Sequence, residues 1–278
     1  PDSVNPEAAA MRDTAVLPPL VGDRVVYALT ENGEGTVTEV KPRTSELIRP
    51  PVANVDLAVL VFSVKEPDLN LNLLDKFLVH IEHEGLDALI CLTKMDLIAE
   101  DDDQTRGAVE RAKALYESIG YEVLETSSPR GLGADRLRER LAGEISVFSG
   151  QSGVGKSSLL NAMFPNLDLL TSEISMKLGR GRHTTRHVEL VELGGGGYIA
   201  DTPGFSQLDF LELGIEELAG CFREFVQLAE GCKFRGCTHL HEPGCKVREA
   251  LERGEIAESR YRHYAAFNQE MKDKKRRY

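Results

Sequence analysis

The clearest chemistry in the sequence lies in mid-chain, in Gly150-Gln151-Ser152-Gly153-Val154-Gly155-Lys156-Ser157-Ser158. This stretch fits G-x-x-x-x-G-K-[ST], a loop that cradles phosphates. Its glycines allow backbone conformations that a Cβ would forbid, so successive N–H groups can point inward at phosphate oxygens. Lys156 can reach the β- and γ-phosphates, and the Ser157 hydroxyl can ligate Mg²⁺. A motif of this kind needs a strand before it and a helix after it. Glu144 to Phe148, with Ile145, Val147 and Phe148 apolar, predicts the strand, and Ser158 to Met163 predicts the helix.

A second group with chemistry is Cys232-x(4)-Cys237-x-His239-x(5)-Cys245. Three thiolates and an imidazole suit a closed, tetrahedral, structural Zn²⁺ site. His241 competes with His239 for the fourth position. The residues around the cluster are too polar to form a core without a metal. Cys91 and Cys221 lie in apolar or helical contexts and read as packing residues.

Three further segments end predicted strands. Asp201-Thr202-Pro203-Gly204 can hold Mg²⁺ through water with Asp201 and sense a γ-phosphate with the Gly204 amide. Thr93-Lys94-Met95-Asp96 places a carboxylate where it can accept hydrogen bonds from guanine N1–H and the 2-amino group. Adenine offers neither donor, so Asp96 would reject it. The Lys94 stem can cover the base. Thr126-Ser127-Ser128 ends the next strand, where its backbone can meet the base O6. Loops at the carboxyl ends of parallel strands are where open α/β sheets bind nucleotides.

The intervening sequence supplies such a sheet. Leu57 to Phe62 and Ala88 to Leu92 are continuous apolar runs, typical of strands buried on both faces, and Tyr121 to Leu124 is a third strand. Leu71, Leu74, Phe77, Leu78 and Ile81 recur at helical spacing, as do Val109, Ala112, Leu115, Tyr116 and Ile119. Asp101 to Asp103 read as a solvated cap at the start of the second helix. Strands alternating with helices predict a mostly parallel sheet with helices on both faces. In front, Val25 to Tyr27 and Thr36 to Val40 predict a hairpin turning at Asn32-Gly33, and Pro50-Pro51 predicts a linker. Behind the phosphate loop, Arg186 to Leu193 and Gly197 to Ala200 predict a second hairpin, and the chain turns helical and charged from about Leu211.

The 278 residues suit one large domain with smaller ones attached. The formal net charge of −12 argues against coating nucleic acid through overall charge. A local basic run, Lys272, Lys274, Lys275, Arg276 and Arg277, ends the chain. No apolar run is long enough to span a membrane, and Pro1 to Ala10 has no signal-peptide character. The chain opens on Pro, as a fragment or processed form would. Five cysteines in a chain of this length fit a reducing cytoplasm.

The base-recognition segments precede the phosphate loop and the γ-phosphate segments follow it, which is a rotated order for a GTPase. With the β module in front and the Cys/His module behind, the chain resembles the RsgA (YjeQ/YloQ) family of circularly permuted GTPases that act on the small ribosomal subunit. The resemblance covers about residues 17 to 278. It implies an OB-like β module at 1–50, a circularly permuted P-loop GTPase domain at 51–208 and a helical zinc-binding domain at 209–278. It implies hydrolysis of GTP to GDP late in small-subunit maturation, with Mg²⁺, one structural Zn²⁺ held by Cys232, Cys237, His239 and Cys245, and rRNA as partner. A monomer with no membrane contact, in the cytoplasm, is expected. Phe205 stands next to Gly204, where signalling GTPases often carry a water-orienting Gln. The resemblance then makes His183 the catalytic replacement, within Gly179 to Thr185, and has Thr184 or Thr185 close on Mg²⁺ and the γ-phosphate, Thr185 being taken as the metal ligand. One departure stands out. The region before Val21 has Arg12 as its one basic residue and no clear first pair of strands, so the OB-like module is either truncated or diverged at its opening.

Overall fold

In the computed structural model, residues 18–48, 51–165, 188–201 and 213–275 are described. The centre is a six-stranded sheet. Its strands are β5 (Leu57–Ser63), β6 (Asp87–Thr93), β7 (Glu122–Glu125), β8 (Ile145–Ser149), β9 (Glu189–Glu192) and β10 (Tyr198–Asp201), in the spatial order β7-β6-β5-β8-β10-β9. All neighbours run parallel except β9, which pairs antiparallel with β10 at one edge.

The alternation of β5 shows why the sheet is buried on both faces. Ala58, Leu60 and Phe62 face α1 (Leu71–His83) and α2 (Asp103–Ile119), where Leu74, Phe77, Leu78, Ile81, Val109 and Tyr116 pack. Leu57, Val59 and Val61 face α3 (Ala134–Leu141) and α4 (Lys156–Met163), meeting Leu137, Leu141, Leu159 and Met163. A strand apolar at every position can satisfy both layers at once. Helix α3 has no counterpart in the sequence reading. Its eight residues are mostly charged, and Ala134, Leu137 and Leu141 are the three that bury.

The front module contains an antiparallel pair, β1 (Val25–Leu29) and β2 (Gly35–Val40), with the turn where Asn32-Gly33 predicts it. Its apolar side chains stay in solvent, Leu29 at 74% exposure. The linker expected at Pro50-Pro51 is a different element. Pro51 opens β4 (Pro51–Ala53), which pairs antiparallel with β3 (Glu46–Ile48). Proline is tolerated there because the first residue of an edge strand needs no ladder donor. Leu47, Val52 and Val55 join the α1–α2 side of the sheet's core, so this pair is built into the nucleotide-binding body. Asn54 donates to the Gly22 carbonyl at 2.9 Å and ties the front module to it, while Arg43 clasps the Asp23 carboxylate at 2.8 and 2.9 Å within that module.

The C-terminal module comprises a 3₁₀ turn at Leu218–Cys221, α5 (Arg223–Ala229), α6 (Lys246–Glu252) and α7 (Glu258–Lys275). Its core is aromatic: Phe222, Phe225, Tyr264 and Phe267. Val79 of α1 belongs to this core as well, so α1 packs against the sheet on one side and the C-terminal module on another.

Candidate functional site: a nucleotide cradle and a thiolate cluster

The phosphate loop spans the end of β8 and the start of α4, as its sequence demands. Gly150 has φ +145°, and a Cβ built there would stand 2.1 Å from the Val61 carbonyl oxygen. Gly155, at φ +97°, precedes the first residue of α4. These two positions need glycine for different reasons, one for close approach to β5 and one for a left-handed turn into the helix. Val154 is buried and anchors the loop, while Ser152, Gly153, Ser157 and Ser158 are exposed and Gln151 is half-buried. Lys156 donates to the carbonyls of Gly150 (2.6 Å) and Gln151 (2.8 Å), folding its head over the loop. Burial lowers its pKa from the ordinary lysine value.

Parallel pairing puts the other segments at the same sheet edge. Asp201 ends β10, whose Ala200 pairs with Val147 of β8. The Thr93 hydroxyl donates to the Val154 carbonyl at 2.5 Å, tying the β6 end directly to the phosphate loop. Asp96 lies in a 3₁₀ turn (Met95–Leu97), and the Ser127 hydroxyl donates to its Oδ1 at 2.5 Å. Ser127 is fully buried and comes from the loop after β7; Ser128 beside it is half-buried. The Met95 amide donates to the Thr126 carbonyl at 3.2 Å, and its side chain packs on the core. Lys94 takes a left-handed φ of 61° and donates to the Glu66 carbonyl. The turn after β5 thus borders the site, although nothing in its sequence matches a motif. His183, Thr184, Thr185 and Gly204 lie outside the described residues.

The model of the RsgA GTPase family matches residues 40–211. The chain belongs to the RsgA GTPase family. It is 52% identical, over 94% of its length, to small ribosomal subunit biogenesis GTPase RsgA of Bacillus cereus (strain ATCC 10987 / NRS 248), covering 87% of that protein. The same figures hold for the protein of that name from Geobacillus kaustophilus (strain HTA426). Among solved structures it resembles YloQ, a circularly permuted GTPase, with TM-score 0.80 and 44% identity over 94% of this chain and 83% of that one. YjeQ from Thermotoga maritima follows with TM-score 0.79 and 41% identity, covering 91% and 84%. As an RsgA GTPase the protein is a GTP hydrolase on a circularly permuted fold.

The cysteine cluster assembles in the C-terminal module. The ligand atoms of Cys232, Cys237, His239 and Cys245 all lie within 4.8 Å of one another. Cys232 Sγ is 4.0 Å from Cys245 Sγ, and His239 Nδ1 is 3.3 Å from Cys245 Sγ and 3.7 Å from Cys232 Sγ. A tetrahedral Zn²⁺ with ordinary bond lengths needs edges of about 3.8 Å between sulfurs and about 3.6 Å from sulfur to nitrogen. The residues fit the ion. His241, the competing residue, is exposed and outside the cluster. Hydroxyls from α7 hold the ligand loop: Tyr261 donates to the His239 carbonyl at 2.7 Å and Tyr264 to the Thr238 carbonyl at 2.6 Å.

Burial pushes the Cys237 thiol up to about 12 and raises Cys245, and it lowers His239. Without metal the Cys237 and Cys245 thiols are therefore protonated at pH 7 and the imidazole is neutral. Zn²⁺ titrated into chelator-treated protein is expected to release about three protons per ion. Calorimetry in buffers of different ionisation enthalpy reads this number, and release of fewer than two would rule out the three-thiolate set. Cys245→Ser is expected to lose the ion and melt the C-terminal module, seen as loss of its helical circular dichroism.

Proposed function

We propose that the cradle at the sheet edge holds GTP with its base on Asp96, and that the protein hydrolyses it on the assembling small ribosomal subunit. The observation that carries the nucleotide assignment is the Ser127–Asp96 hydrogen bond of 2.5 Å at the same edge as the phosphate loop. It uses one lone pair of Oδ1 and leaves Oδ2 and the remaining lone pair for the two guanine donors. The Ser127-Ser128 backbone meets O6, and the loop amides from Gln151 to Ser158 line the phosphates. Lys156 exchanges its two carbonyl partners for phosphate oxygens. Bound Mg²⁺ neutralises charge on the β- and γ-phosphates; Ser157, Thr185 and Asp201 are the residues that would hold it. Thr184 and Gly204 would sense the γ-phosphate, and His183 would orient the attacking water, since Phe205 has no polar group to do so.

The ribosomal assignment rests on the relatives, whose names specify small-subunit biogenesis and which match 94% of this chain. The zinc loop offers a surface for rRNA. Phe234 is 45% exposed, and the Lys233 ammonium sits 5.4 Å from its ring centre. Lysine, arginine and an open aromatic ring suit phosphates and an unstacked base. Turnover of GTP by the isolated protein is expected to be slow and to rise at least tenfold with small subunits. Lys233→Glu combined with Arg235→Glu should reduce that rise while the basal rate stays the same. Turnover indifferent to small subunits would refute the ribosomal reading, and stimulation untouched by the charge reversal would remove the zinc loop from the contact.

A further inference from the structure

The turn that follows β5, Val64 to Pro67, carries no recognisable motif, yet it is fastened from several sides beside the phosphate loop. The Val64 amide donates to the Thr93 carbonyl at 3.0 Å, joining the turn to the start of the base-recognition segment. Ser63, 2% exposed at the last position of β5, donates its hydroxyl to the Pro67 carbonyl at 2.6 Å. Glu66 takes a left-handed φ of 52°, which turns its carbonyl to meet the Lys94 ammonium. The Lys65 ammonium pairs with Asp102, whose other oxygen accepts from the Thr105 amide at 3.0 Å and caps α2. The same pairing with Lys65 brings Asp102 down to about 2. Asp102 is thus more than the solvated cap that the acidic run suggests.

The Lys94 side chain runs past the phosphate loop to reach this turn. A Cβ placed on Gly155 would stand 3.9 Å from Lys94 Cε, and one on Gly153 would stand 4.0 Å from Pro67 Cδ. Both ends of the bridge therefore border the nucleotide cradle. A lysine stem free in solution samples many rotamers, and fixing it on binding costs conformational entropy. A stem already tethered at its head loses less.

We propose that the Val64–Pro67 turn is the base-side wall of the nucleotide site, and that Ser63 is a positioning residue that presets Lys94 to cover the guanine. The inference rests on the placement of the base at Lys94 and Asp96. Ser63 acts through two intermediaries, the Pro67 carbonyl and the backbone of the turn, and touches no ligand itself. Asp102 supports the same turn through Lys65, from the other side.

The test is a double-mutant cycle on GDP affinity, read with a fluorescent GDP on full-length protein with zinc bound. Ser63→Ala is expected to weaken GDP about three- to tenfold, the worth of one hydrogen bond. In a Lys94→Ala background the same change should weaken it less than about twofold, because the group being positioned is gone. Asp102→Asn keeps the helix cap, which asparagine serves as well as aspartate, but drops the charge facing Lys65. It should show a smaller loss that likewise disappears without Lys94, and it carries the test if Ser63→Ala does not fold. Equal losses in both backgrounds, or a lower melting temperature with unchanged affinity, would overturn the positioning role and leave the base site standing. A Lys94→Ala protein that binds GDP as tightly as the parent would overturn both.

Discussion

Asp96→Asn is expected to cost GTP affinity about a hundredfold or more and to let xanthosine triphosphate bind in its place. A carboxylate presents acceptors to both guanine N1–H and the 2-amino group. An asparagine presents one acceptor and one N–H. Against guanine that N–H faces another donor, so a hydrogen bond becomes a desolvated clash worth about 3 kcal/mol. Xanthine carries a carbonyl at that position and restores the match. The Ser127 hydroxyl, 2.5 Å from Oδ1, can still donate to the Asn carbonyl, so the side chain keeps its orientation and the effect is one of recognition. Competition of GTP and XTP against a fluorescent nucleotide measures the switch. Retained preference for GTP would remove Asp96 from base recognition and leave guanine to be read by other groups. Ser127→Ala should act in the same direction but more weakly, since it removes orientation without reversing a donor.

The second large effect is on stability. Arg260→Ala is expected to destabilise the protein by about 3–5 kcal/mol, the range for breaking a buried ion pair on one side. Arg260, 1% exposed on α7, donates to Asp75 of α1 at 2.6 Å and clasps Glu224 of α5 at 2.7 and 3.0 Å. Its guanidinium lies over the Phe222 ring, 4.6 Å from the centre. Asp75 is fully buried and also receives the Tyr116 hydroxyl at 2.6 Å, with His263 Nδ1 2.5 Å from its other oxygen. Burial by itself pulls the pKa of Arg260 down, but Glu224 and Asp75 outweigh it and hold the group above its ordinary value. Truncating Arg260 strands a carboxylate in the interior and also removes packing against Phe222.

Chemical denaturation followed by circular dichroism reads this loss, with Arg253→Ala, an exposed pair with Glu255, as the control that stays near the parent. Arg260→Lys should fall between, because one ammonium cannot serve Asp75 and Glu224 as a planar fork does. An Arg260→Ala protein as stable as the control would show that the network contributes nothing. Asp75 and Tyr116 belong to the nucleotide-binding body, and Arg260, Glu224, His263 and Phe222 to the C-terminal module. Arg223 adds a second fastening, at 2.6 Å from Glu82 and 4.1 Å over the Tyr121 ring. The two modules are held across this interface by charge as well as by Val79.

Much of the site was legible because its logic is local. The phosphate loop, the Thr93–Asp96 segment and the Cys/His spacing each carry their chemistry within a few residues. The Thr93–Asp96 segment follows an apolar run, Ala88 to Leu92, that reads plainly as a buried strand. The helix α3 escaped because three small apolar contacts suffice to dock eight mostly charged residues. The hairpin β3–β4 escaped because Pro50-Pro51 signals a break, and only burial of Leu47 and Val52 against the sheet reveals a strand. The Lys65–Asp102 pair escaped for a further reason. An acidic run before a helix has a sufficient explanation in capping, and its partner lies 37 positions away.

The sequence by itself determined the reaction class and the order of the parts: a phosphate loop, the Thr93–Asp96 segment and a Cys/His cluster, each set by residue type at short spacing. The tertiary structure alone decided how they are joined. Asp75 and Arg260 are 185 positions apart, and neither announces its partner, because a buried charge is legible only when the group that neutralises it has been brought alongside. The same holds for Ser63 and Lys94, which meet through backbone carbonyls that no side-chain pattern encodes.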